Sequence, residues 1–117
     1  MLSYNKPVDE QRAHDRKIFF SNALLLLHER QPIKARTWDI SNNGMTVILS
    51  ENLKPNIICM IRFEIFIDMH NTHAFEVEAQ IIHCYFRSNS GFIVGLQFIR
   101  PPDRLKDAIA LFLNHQS

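Results

Sequence analysis

From Ile57 to Ile67 every second residue is apolar. Ile57, Cys59, Ile61, Phe63, Ile65 and Ile67 share one face, and Ile58, Met60, Arg62, Glu64 and Phe66 share the other. A period of two predicts a strand with one face in a core. Phe75, Val77, Ala79, Ile81, His83 and Tyr85 repeat the pattern against Glu76, Glu78 and Gln80, and His70-Asn71-Thr72 reads as the hairpin connection between the two. After a turn at Ser88-Asn89-Ser90-Gly91, Phe92, Val94, Leu96 and Phe98 mark a further strand. Gly95 inside it predicts a bend or a close backbone approach. Earlier in the chain Ile33, Ala35 and Thr37 alternate within Ile33 to Ile40. Asn42-Asn43-Gly44 is a turn signal, Met45 to Leu49 a short strand, and Glu51 to Asn56, with Pro55, a loop.

Two segments depart from this pattern. Lys17 to Glu29 is rich in Phe and Leu, and its length leaves strand and buried helix both open. Beyond Pro101-Pro102, Leu105, Ala108, Ile109 and Phe112 recur at helical spacing. Asp103 offers an N-cap to a helix of about three turns. Residues 1–16 are polar, lack periodicity and contain Pro7, which predicts an extended N-terminal arm ahead of a single domain over residues 17–114. Antiparallel strands at this spacing, closed by one helix, predict an all-β barrel or sandwich.

Composition narrows the function classes. The chain has 117 residues, enough for one domain, with 46% hydrophobic and 10% aromatic content to fill one core. Its formal net charge of +1 disfavours a general nucleic-acid binder, so basic chemistry must come from a local cluster. Cys59 and Cys84 sit in apolar runs and read as reduced core residues of a cytoplasmic protein. The N-terminus has no apolar signal region, and the longest apolar run, Ala23 to Leu27, is too short for a membrane span. His70 and His73 have metal-like spacing but no third ligand nearby, and no catalytic constellation or P-loop is present. A receptor is therefore expected rather than an enzyme, with no cofactor and no metal.

The candidate chemistry lies in two short motifs. Arg12-Ala13-His14-Asp15-Arg16 places arginines at i and i+4, and Asp39-Ile40-Ser41-Asn42-Asn43-Gly44 is an Asp-x-Ser-x-x-Gly run. Neither is specific alone. In this order, ahead of this barrel pattern, and with Gly91-Phe92-Ile93-Val94-Gly95-Leu96-Gln97-Phe98 as a last strand, the chain resembles the PilZ domains of bacteria over most of residues 10–114. The resemblance implies a six-stranded antiparallel β-barrel with a C-terminal α-helix. It also implies a receptor for cyclic di-GMP that binds through Arg12, Arg16, Asp39, Ser41 and Gly44. The chemistry suits that ligand. Arginine's planar fork binds phosphate bidentately and matches guanine O6 and N7, while Asp and Ser supply acceptors for guanine N1 and N2. Gln11 stands where some members carry a further arginine, so one ligand or a stacked pair stays open. Members often place an aromatic near His83, and histidine can stack on a purine less strongly than tryptophan, which makes His83 a secondary candidate.

Plainer readings stand beside these. Most arginines are solvated, and Asp and Ser before Asn-Asn-Gly are good turn formers in their own right. Gly44 reads as a conformational requirement more than a contact. Arg30, Lys34 and Arg36 read as a solvated strand face and hairpin, or as a partner or membrane-surface patch. Trp38 is assigned neither to core nor to ligand. The expected mechanism is ordering of the arm on cyclic di-GMP, read by a protein partner. The rivals are an interaction adaptor of the same fold that binds no nucleotide, as in members tied to pilus assembly, and a small barrel for single-stranded nucleic acid.

Overall fold

A computed structural model describes residues 16–68 and 70–114; the predicted arm lies outside the described residues except for Arg16. The described residues form seven strands: β1 (Lys17–Ile18), β2 (Asn22–Leu26), β3 (Ile33–Ile40), β4 (Gly44–Leu49), β5 (Ile58–Asp68), β6 (Asn71–Arg87) and β7 (Gly91–Phe98). One helix, α1 (Asp103–Asn114), follows. β1 and β2 both pair with β3, through Lys17↔Ile40 and then Asn22↔Arg36, so they form one barrel strand interrupted at Phe19–Ser21. β2 pairs with β5, β5 with β6, β6 with β7, β7 with β4, and β4 back with β3. That last pairing closes a six-stranded antiparallel barrel, as the sequence predicts. The segment left open between strand and helix is strand: Ala23 and Leu25 point into the core, and Leu24 and Leu26 face outward, half-buried.

The interruption in the first barrel strand is held by a buried hydroxyl. Thr37 is fully buried, and its Oγ1 donates to the Phe19 carbonyl at 2.9 Å, while its backbone N donates to Ser21 O at 2.9 Å. Phe19 N donates in turn to Trp38 O at 2.9 Å. Polar groups enclosed in this way must be paired, because an unpaired one costs about 1–3 kcal/mol. The bonds fix where β1 resumes, and therefore where Arg16 leaves the barrel.

The core is the shared inner face of the strands. Ile61, Phe63, Ile65, Phe75, Val77, Ala79 and Ile81 are buried as their alternation predicts. Phe63 stacks on Phe98 with centroids 6.4 Å apart and tilts against Phe75 at 6.1 Å. Leu105, Ala108 and Ile109 of α1 join the core, and Phe112 meets Phe19 edge-on at 5.4 Å. Cys59 is buried, and burial pushes its thiol up to about 11, so it is a protonated apolar group at neutral pH. Cys84 is half-buried; its Sγ accepts from Leu53 N.

Four expectations need correction. The register of β6 against β7 shifts between Ile81 and His83, so Ile82 is an extra residue and parity reverses beyond it. His83 and Tyr85, expected on the core face, are exposed on the outer wall. A one-residue bulge moves every later side chain to the other face, which a period-two reading cannot detect. Ile57 precedes β5 and is 37% exposed. The β5–β6 hairpin is tighter than predicted: Asn71 already pairs with Asp68, whose carboxylate accepts from His70 N at 2.8 Å. Finally, Pro102 caps α1. Its carbonyl accepts from Leu105 N and Lys106 N, and Asp103 is the first helical residue, its carboxylate at the positive end of the dipole.

Phe63 packs against two other aromatic rings, Phe75 and Phe98, across the barrel. Replacing it with alanine removes two ring contacts and leaves a cavity that closed strands cannot collapse around. Phe63→Ala should lower the urea-unfolding free energy by about 3–5 kcal/mol with an unchanged slope.

Candidate ligand groove on the barrel wall

Asp39, Ser41 and Gly44 stand where β3 turns into β4. Ser41 is 8% exposed, and its side chain is spent mainly on the turn. Its Oγ donates to Gly44 O and accepts from Asn43 N, both at 3.3 Å, while Ser41 N donates to Gly44 O at 2.8 Å. A hydroxyl has one donor and two acceptor lone pairs, so one acceptor remains. Gly44 begins β4 opposite Gln97, and a Cβ built there would overlap the Leu96 carbonyl oxygen. The residue is required by close strand approach; the positive φ that demands glycine occurs at Gly91 instead.

Asp39 follows a bulge. The register of β3 against β4 shifts between Thr37 and Asp39, leaving Trp38 as the extra residue. Arg16, directly before β1, reaches Asp39 because Ile18 pairs with it: Nη1 donates to Oδ1 at 2.7 Å. The two side chains are partly exposed, so the pair contributes at most about 1 kcal/mol. Its value is geometric. One N–H of the fork is held on Asp39, and the guanidinium carries four others. Arg12 lies outside the described residues.

Beside this pair opens a groove of about 520 Å³, a volume usual for small-molecule sites. Arg16, Ser41 and Gly44 line it. Asp39 is not on its wall and touches it through Arg16. Its other walls include Asn43, Thr46, His83, Gly95 and Gln97, with Met45, Ile82 and Leu96 as apolar lining. Cross-strand register brings these together: Gly44 opposes Gln97, and Gly95 lies between Thr46 and His83. The His83 ring lies over Gly95 so closely that a Cβ there would overlap it, which is the close approach the glycine predicts. Tyr85 meets the same ring edge-on at 5.6 Å. Of the residues named from the sequence, Arg16, Ser41 and Gly44 line this groove; Thr46 and Gln97 line it too and were not named. Gln97 was detectable as the polar position between Leu96 and Phe98. His83 was hidden by the bulge.

A larger hollow of about 700 Å³ lies on the outer wall of β2 and β5, lined by Asn22, Leu24, Lys34, Arg62 and Phe66 among others. It contains none of the motif residues, and Arg62 is committed there to Glu76 through two hydrogen bonds. The smaller groove is therefore the candidate site.

Comparison with known proteins supports the same assignment of family. The model of the PilZ domain matches residues 10–115, and the chain belongs to the PilZ domain family. No curated protein matches it. Among solved structures, the Bacillus subtilis inhibitor of motility (MotI/DgrA) superposes with a TM-score of 0.72 at 16% identity, over 84% of this chain and 47% of that one. Escherichia coli YcgR in complex with c-di-GMP gives 0.60 at 17% identity, over 81% and 41% of the two chains. The PilZ domain of YcgR from Escherichia coli with c-di-GMP gives 0.60 at 13%, over 84% and 85%. The chain thus spans under half the length of the first two and most of the isolated domain. At these identities the likeness is one of fold.

The two groove glycines should respond differently to a methyl group. At Gly95 the obstacle is a side chain, so Gly95→Ala should fold and move His83 off the floor. Cross-peaks between the His83 ring protons and the residue-95 α-proton should disappear from NMR spectra. At Gly44 the obstacle is backbone, so Gly44→Ala should cost about 1–3 kcal/mol of stability. Retained cross-peaks in Gly95→Ala would show that the ring is not held by that contact.

Proposed function

We propose that this chain is a receptor for cyclic di-GMP and that the nucleotide binds in the groove beside the Arg16–Asp39 pair. The observation that carries the reading is the convergence of both motifs. Arg16 from one segment and the Ser41–Gly44 turn from the other line one groove, with Arg16 anchored on Asp39 at 2.7 Å. Membership of the PilZ family gives the ligand class, and the E. coli structures with c-di-GMP share the fold.

The proposed mechanism uses the groove as a half-site. Asp39 holds the Arg16 fork at a fixed angle, so little of its rotamer freedom remains to be lost on binding. The remaining N–H groups take a phosphate or the O6/N7 edge of a guanine. The free lone pair of Ser41 accepts from guanine N1 or N2, and Asp39 acts through the Arg16 fork that it holds. Gln97 and His83 lie along the opposite wall. The arm that precedes Arg16 closes over the nucleotide and adds Arg12, and a protein partner reads the ordered arm and the adjoining rim. Ser41 is engaged by its own turn, which supports a receptor rather than a hydrolase built on that hydroxyl.

Calorimetry with cyclic di-GMP, GTP and a short oligonucleotide tests this. Cyclic di-GMP alone should bind tightly. Arg16→Ala should lose roughly tenfold to over a hundredfold in affinity, about 1.5–3 kcal/mol, with the fold intact. Arg16→Lys should recover only part, because lysine keeps the charge and loses the fork. No heat with cyclic di-GMP, or wild-type affinity in Arg16→Ala combined with Arg12→Ala, contradicts the proposal; the first result points to a nucleotide-free adaptor.

A further inference from the structure

The outer wall of β3, β4, β7 and the end of β6 carries a second arrangement that the groove does not use. Register aligns Arg36, Ile48, Ile93 and Tyr85 across four neighbouring strands, all outward. With Leu24 and Lys34 paired on the β2 side, the face spans five strands. That is about 19 Å at the usual strand spacing of about 4.8 Å. Arg87 stacks over Trp38, its guanidinium 5.2 Å from the ring centroid. Ile93 is 3% exposed although it faces outward and lies outside the main core cluster, so the apolar floor is recessed beneath this layer. Ile18 and Phe20 are each 61% exposed on the neighbouring first barrel strand.

The charges on this wall have one sign. Among the described residues Lys34 and Arg36 make no ion pair or hydrogen bond through their side chains, and Arg87 is engaged only with the ring. Across β1–β4, β7 and residues 83–87 the sole acid is Asp39, which Arg16 holds. The other acids of the barrel wall are on β5 and β6, where Arg62 meets Glu76 and Arg100 meets Glu78; of these strands' acids, Glu64 shares the larger hollow with Lys34, at the edge of this face. Leaving three cations without carboxylates around an apolar strip costs self-repulsion, which an opposite charge relieves.

We infer that this wall is a docking face for an acidic, apolar-containing segment of a partner protein, whose carboxylates meet Lys34, Arg36 and Arg87 and whose apolar side chains cover Trp38, Ile48 and Tyr85. A bilayer suits it less. Ile93, at the centre of the strip, is 3% exposed and out of reach of lipid, while Tyr85, Ile18 and Phe20 stand open, so vesicles are the rival that the binding test has to exclude. Trp38 adjoins Asp39 in the chain, so the docking face and the groove meet at the β3 bulge.

The inference does not depend on the nucleotide and is tested without it. Trp38 is the chain's only tryptophan, so its emission reports on this face directly. The probes are a twelve-residue peptide alternating Glu with Leu and Phe, the same peptide with Lys for Glu, and phosphatidylglycerol vesicles. The acidic peptide should shift Trp38 emission and bind more weakly as salt rises, and the Lys peptide should do neither. Arg36→Glu with Arg87→Glu should weaken the acidic peptide at least tenfold. Lys34→Glu, which leaves the Trp38 stack untouched, should weaken it severalfold. Thermal melting near wild type shows that the variants fold. Absence of acidic-peptide binding, affinity unchanged in all variants, or stronger binding of vesicles than of peptide overturns the inference.

Discussion

The pairing of β3 on both its edges is the constraint on which the rest depends. One edge carries β1 and β2, the other carries β4, and that second pairing turns an open sheet into a barrel. Closure removes free sheet edges and leaves the outer wall as the place for function. β3 meets both demands only by bulging at Trp38, and the strand beside it breaks at Phe19–Ser21 to stay in register. Thr37, sealed between these irregularities, satisfies the backbone groups that they would orphan. The bulge presents Asp39, the resumed strand delivers Arg16, and the turn just beyond supplies Ser41 and Gly44.

The groove shows little strength in any single contact. Its ion pair is partly exposed and its serine is occupied by a turn. Strong prior binding of these groups to each other would have to be broken by a ligand, whereas a weak, well-oriented pair costs little to recruit. Close packing sets the shape instead. Gly44 lets β4 approach Leu96, and Gly95 lets the His83 ring lie flat on β7. Two missing side chains therefore define the floor as much as the polar groups define the chemistry.

Regular features were legible in the sequence. The alternation of β5 and the first half of β6 named the core residues from Cys59 to Ile81, and the helical spacing of Leu105, Ala108, Ile109 and Phe112 marked α1. Arg16, Ser41 and Gly44, named from the two motifs, line one groove, and Gly95, which the pattern marks as a bend or a close backbone approach, is met by the His83 side chain. Irregular features were not legible. Bulges at Trp38 and Ile82 arise from closing the barrel, a long-range demand that no local pattern records. They explain the misplaced His83 and Tyr85 and the unassigned Trp38. Gln97 and Thr46 become neighbours of the motif only through strand order, with β7 lying between β4 and β6.

The central claim is that both motifs serve one groove on this wall. Backbone amide NMR of the labelled chain, titrated with cyclic di-GMP, locates binding residue by residue. The account predicts the largest shifts at Arg16, across Ser41 to Thr46, and at His83, Gly95 and Gln97. It predicts little change at Asn22, Arg62, Glu64 and Phe66 around the larger hollow. Shifts centred on that hollow, or spread evenly with Ser41 to Thr46 unmoved, would contradict it.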